Sequence, residues 1–106
     1  MFVFKLNVFG TEVSSDGTTI VIAAKPDAYI YIHELMGDLA AAGNLIVKCG
    51  TRVVASFALD GGQGITVQDE PGMDGVARFE CRPGEDFILE VTGGTFNGAI
   101  DYSFGY

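Results

Sequence analysis

Short runs of β-branched and aromatic residues, each cut off by glycine, proline or aspartate, recur along this chain at intervals of roughly 8 to 12 residues, the rhythm of an antiparallel sandwich or barrel. The runs are too short for amphipathic helices, and fifteen glycines against three prolines supply the turns between them. A chain of 106 residues suits one domain, 1–106, which at this size removes roughly 65% of its surface from water without needing a metal or a disulfide. The expected fold is all-β: a single antiparallel β-sandwich of about eight to nine short strands.

At the N-terminus, Phe2, Phe4, Leu6 and Val8 alternate with a mixed set, as in a strand with one committed apolar face. Gly10 permits a bulge or bend. Asp16-Gly17 carries a tight-turn signal, so the segments on either side of it are expected to form a hairpin. After the break at Pro26 comes a strand in which Ile30 and Ile32 share one face. Tyr29, Tyr31 and His33 share the other, which is either covered by a further layer or presented. Residues 36–43 are the helix-compatible segment, with Asp38 as N-cap and Gly43 as stop, and allow at most one short helical turn near residues 38–42. Gly50-Thr51 reads as a hairpin junction, residues 60–64 as a flexible connection, and residues 78–106 as three strands divided at Pro83-Gly84 and Gly93-Gly94. Phe79, Phe87, Leu89 and Ile100 are the core candidates of that last stretch.

A net charge of −8 repels phosphate backbones and anionic membranes, so neither nucleic acid nor membrane is an expected partner. Lys5 and Asn7 interrupt the first apolar run, and no run reaches membrane-spanning length, which leads to an expectation of synthesis and folding in a cytoplasm. On that ground Cys49 and Cys81 are expected as two buried or half-buried thiols. A bridge is the alternative, and it would need Cα atoms within about 7 Å. His33 is the only histidine and sits in no nucleophile signature, so it reads as structural or surface-lying. The acids read as a solvated surface. A calcium site from Asp60, Asp69, Glu70 and Asp74 lacks EF-hand spacing, and the Gly61-Gly62-Gln63-Gly64 run lacks the lysine and helix of a phosphate loop. No catalytic residue, cofactor or metal is expected. Phe96, Tyr102, Phe104 and Tyr106, with Phe2 and Phe4, read as sheet core or, failing that, as an interface.

The runs AYIYIHEL at 28–35, NLIVKCG at 44–50, FECRPGEDFIL at 79–89 and FNGAIDY at 96–102 together resemble small structural proteins of tailed bacteriophages, the capsid decoration or cement proteins. The resemblance spans roughly residues 19–106 and leaves out residues 1–13, a candidate N-terminal arm or swapped strand. It implies a jelly-roll-like sandwich and a non-enzymatic protein that binds the outside of a capsid and bridges major capsid subunits. It also implies a homotrimer and residence on the virion after synthesis in a host bacterium. The family carries no residue-level motif onto this chain. The local argument makes Phe2, Phe4 and Leu6 the first candidates for contact with the capsid or a neighbouring copy, and Tyr29, Tyr31 and Tyr106 the second. A carbohydrate- or receptor-binding sandwich of a phage tail or adhesin, with tyrosines stacked on sugar rings, is the alternative.

Overall fold

The computed structural model describes residues 8–68 and 77–106, and among them finds nine strands and no helix. In chain order they are β1 (Phe9–Ser15), β2 (Thr18–Ile22), β3 (Tyr29–Leu39), β4 (Gly43–Cys49), β5 (Arg52–Leu59), β6 (Gly64–Val67), β7 (Phe79–Cys81), β8 (Phe87–Thr92) and β9 (Phe96–Gly105). The shortest connection sets the topology. Gly50, at φ 60°, and Thr51 close a two-residue loop that pairs Cys49 with Arg52, so β4 and β5 form a hairpin as expected. Outward from that hairpin the pairings nest: β3 with β6 and β7, β2 with β8, β1 with β9, all antiparallel. Two further ladders, β3 with β9 and β4 with β8, gather the nested pairs into a first sheet ordered β1-β9-β3-β6, with β7 also on β3, and a second ordered β2-β8-β4-β5. Such a folded-over long hairpin is a jelly roll.

The core lies between the two sheets. Ile30, Ile32, Leu35, Leu39, Phe96 and Ile100 enter it from the first sheet, and Leu45, Val47, Phe87 and Leu89 from the second, all fully buried. Phe79 joins them at the margin, so all four core candidates of the last stretch are buried. β3 turns even-numbered residues into the core between the sheets as far as Ile32 and odd-numbered ones from Leu35, which a strand of period two cannot do without an extra residue. The ladder to β9 supplies it, pairing Ile32 with Tyr102 and Glu34 with Asp101 and leaving His33 as the bulge.

Four expectations are corrected. The first two strands are not a hairpin, since β1 and β2 belong to different sheets. Gly17 does not take the positive φ that a tight hairpin turn requires. Its carbonyl instead accepts from Val91 N–H (2.9 Å) and Ser15 Oγ (2.9 Å), which pins the crossing between layers. Gly10 makes no bulge and pairs in register with Asp101. The helix-compatible segment 36–43 begins as strand, since β3 runs on to Leu39, so the allowance of at most one helical turn near 38–42 is met with none. Gly37 and Asp38 pair with Gly98 and Asn97, Leu39 is buried, and the Ala40 N–H reaches the Thr95 carbonyl at 3.0 Å. One isolated helical turn could not match that burial and pairing.

The fourth correction concerns the cysteines. Cys49 on β4 and Cys81 on β7 face each other across the core with Cα atoms 5.1 Å apart, and they form a disulfide that ties the two sheets together. The turn after β7 explains how Cys81 is held. Pro83 presets the first corner, Gly84 takes φ 87°, and the Glu85 N–H closes on the Arg82 carbonyl at 3.0 Å, a type II turn.

Candidate functional site

The two sheets present four edges: β1 and the broken β6/β7 edge on the first, β2 and β5 on the second. β5 is the longest of these, eight residues whose only charge is Arg52 at the hairpin end. Between β5 and β7 the sandwich opens into a cleft of about 650 Å³. Val54, Ser56 and Phe57 line it from one wall, and Arg78, Phe79 and Glu80 from the other. Arg52 stands at its mouth and is held in place from three sides. Its Nη2 donates to Glu85 Oε1 (2.9 Å) and to the Glu80 carbonyl (3.3 Å), while Nε donates to Glu85 Oε2 (3.4 Å).

That two-point contact with Arg52 holds the Glu85 carboxyl below its ordinary range, against the opposing effect of partial burial and with help from the Arg82 backbone N–H at 2.8 Å. The same hydrogen bond raises the Arg52 guanidinium. Sequence reading missed this cluster. Arg52 and Glu85 lie 33 positions apart, and the β4–β8 ladder, the Gly50 N–H bond to the Asp86 carbonyl (2.8 Å), the disulfide and the type II turn bring β5 and the β7–β8 connection together. No local periodicity signals that.

The sequence-derived candidates fall in different places. Phe2, Phe4 and Leu6 lie outside the described residues, as do Asp69, Glu70 and Asp74. Phe9, the first residue of β1, is 48% exposed, with its ring centroid 5.6 Å from Tyr102 and 6.1 Å from Phe104. The Lys25 ammonium sits 4.8 Å from the Phe104 centroid on the same cluster. Among the described residues Tyr106 is the most exposed large apolar side chain, at 84%. Tyr29 is half-buried and stacks on Tyr31 at 5.9 Å and 7°. Tyr31 itself is buried, its ring lying where a Cβ at Gly105 would be, so little of it is presented. Burial first, then the charge of Glu80 and the neighbouring Tyr29, raise its phenol above the usual value.

His33 is fully buried in the bulge, and its Nε2 lies 2.8 Å from the Ser103 hydroxyl, itself buried. The pair is enclosed, and its evident role is to satisfy two polar groups inside the fold. The outer face of the first sheet carries a cross-strand row of exposed Ser14, Asn97 and Asp38, beside Glu12 and Met36, with two shallow grooves of about 530 and 520 Å³. Among the described residues no three His, Cys, Asp or Glu side chains stand close enough to hold a metal ion. Compared with known proteins, the chain matches no family model, no curated protein and no solved structure.

Proposed function

We propose that the chain is a non-enzymatic structural protein of a tailed-phage particle, a homotrimer that binds the outside of the capsid and stabilises it by bridging major capsid subunits. The observation that carries this reading is the apolar rim at the start of β1. Phe9 on the edge strand β1, next to Tyr102 and Phe104 and preceded by exposed Val8, presents aromatic surface to whatever binds there. The jelly roll is a fold shared by viral capsid domains. A disulfide between the sheets also suits a protein that works on a virion surface, outside the reducing cytoplasm in which it is made.

Undecorated shells from the parent phage, mixed with the purified chain, test the reading directly. The chain should cosediment with the shells and raise their melting temperature, and light scattering on the chain alone should give about three times its 11.2 kDa mass. Failure to cosediment at every ratio, with the chain folded, refutes the capsid role. A monomeric mass refutes the trimer alone.

One feature favours the glycan-binding alternative: the exposed Ser14, Asn97 and Asp38 row, whose amide, hydroxyl and carboxylate can bond vicinal sugar hydroxyls. With Tyr31 buried, that reading rests on this row rather than on tyrosine stacking. Glycan-array binding lost in Asp38→Ala and Asn97→Ala would support it, and an array without signal would dispose of it.

A further inference from the structure

We infer that β7 is a redox-controlled strap on the first sheet. With Cys49 and Cys81 reduced it lifts from β3 about the turn that follows it, and oxidation shuts it and seals the bridge inside the core. The inference goes beyond the capsid reading and takes from it only the order of compartments, a reducing cytoplasm first and an oxidising exterior after.

The strap itself has little hold of its own. β7 is three residues long, and its ladder to β3 has three register pairs, Ile30 with Cys81, Tyr31 with Glu80 and Ile32 with Phe79. Among the described residues no other strand pairs with it. The Arg78 N–H adds one bond to the Ile32 carbonyl (2.8 Å), and Arg52 Nη2 adds one to the Glu80 carbonyl (3.3 Å). Its apolar hold is Phe79, at the margin of the core, and Cys81 itself. A short edge segment with so few contacts is where a fold opens first.

The turn after β7 is anchored independently. The Gly84 N–H bonds the Lys25 carbonyl (2.8 Å), Glu85 Oε1 accepts from Arg52 Nη2 (2.9 Å), and the Asp86 carbonyl accepts from the Gly50 N–H (2.8 Å). None of these bonds uses a residue of β7, so the turn stays in place when the strand moves and serves as its hinge. The Cys49–Cys81 bridge is then the covalent tie that holds the free length of the strap against the second sheet.

Burial gives the device a direction. Both cysteines are fully buried in the closed form, so no external thiolate reaches either sulfur until β7 lifts. In the reduced form the lifted strap carries Cys81 outward and uncovers Cys49. Closure uses a small disulfide or a disulfide oxidoreductase as oxidant. One cysteine thiolate attacks that disulfide and expels a thiolate. The second cysteine thiolate attacks the resulting mixed disulfide, joins Sγ to Sγ and expels the other, so two electrons and two protons leave the pair and the oxidant ends as two thiols. Closing is therefore open to reagents in solution, and reopening is not.

The test uses the full chain, reduced in denaturant and refolded in dithiothreitol that is then removed. In native buffer its two thiols should react with an aromatic disulfide reagent at more than about one hundredth of the unfolded rate. The bridged protein, given dithiothreitol without denaturant, should be reduced at a fraction of its unfolded rate at least about a hundredfold smaller. Hydrogen exchange on the Cys49→Ala, Cys81→Ala variant supplies a readout free of thiol chemistry. Loss of the bridge should speed exchange in β7 at least about tenfold more than in β8, a strand paired on both sides. Equal acceleration of β7 and β8 overturns the strap, because the bridge would then stabilise the whole fold evenly. Rapid reduction of the bridged protein in native buffer, or refolded thiols as unreactive as the bridge, also overturns it. So does a double variant without a cooperative melt, since the sandwich must stand while the strap is open. The capsid reading survives each of these results, as shell binding tests it separately.

Discussion

Breaking the Cys49–Cys81 bridge is the perturbation whose effect can be worked most directly. The bridge closes a loop with a sequence separation of 32. In the chain-entropy account, cross-linking such a loop removes about 12 cal/mol/K from the unfolded ensemble, or about 3.7 kcal/mol at 25 °C. Unfolding a domain of this length carries an entropy of about 0.22 kcal/mol/K near the midpoint, so the loss corresponds to a fall in Tm of about 15 to 20 °C. Against a typical total of about 5–15 kcal/mol, it takes a large share of the stability. Thermal melts followed by circular dichroism, with and without reductant added under unfolding conditions, measure it. The Cys49→Ala, Cys81→Ala double variant should melt near the reduced protein and show no response to reductant. A fall below about 5 °C, together with two titratable thiols in the untreated unfolded protein, would refute the argument at its premise.

Gly84→Ala should cost about 1–2 kcal/mol by denaturant titration, because φ 87° disfavours any Cβ although no heavy atom crowds the position. Glu85 has its folded pKa depressed by Arg52, so its contribution is complete above the ordinary carboxyl value of 4.5 and is lost as pH falls through the depressed folded value. Glu85→Gln should therefore lower stability at pH 7 and lose that difference as the pH is taken well below 4.5, in melts across the acid range. His33→Ala strands the Ser103 hydroxyl and should cost about 1–3 kcal/mol, with part recovered in the double variant carrying Ser103→Ala. Phe87→Ala empties a fully buried site between the sheets, and a loss of about 3–5 kcal/mol should appear as a lower denaturation midpoint.

The sandwich, its strand count and the Gly50 hairpin were legible because period-two patterning and turn chemistry are local signals. The destination of each strand was not. Asp16-Gly17 looks like a hairpin turn, yet whether its flanking strands share a sheet depends on β8 and β9, far along the chain. The switch of inward parity from Ile32 to Leu35 was visible in the apolar pattern and marks the His33 bulge, a reading that needs only the spacing. Residues 38–42 misled because helix propensity in a short segment weighs little against pairing with β9. The cleft beside Arg52 is built from β5, β7 and the Arg82–Glu85 turn, and no stretch of sequence holds all three.

The nesting of the strands bears on how the protein is made. β9 is synthesised after the other eight strands, yet it lies inside the first sheet, hydrogen-bonded to β1 on one side and β3 on the other. While β9 is still within the ribosome, β1 lacks its partner and the first sheet cannot assemble, although the β4–β5 hairpin can form early. Folding therefore waits until β9 has left the ribosome, and its slow step is closure of the long loop between β1 and β9. Until then the apolar faces of β1 and β3 stay open to neighbouring nascent chains. Expression level and temperature should then govern the soluble yield more strongly than final stability does.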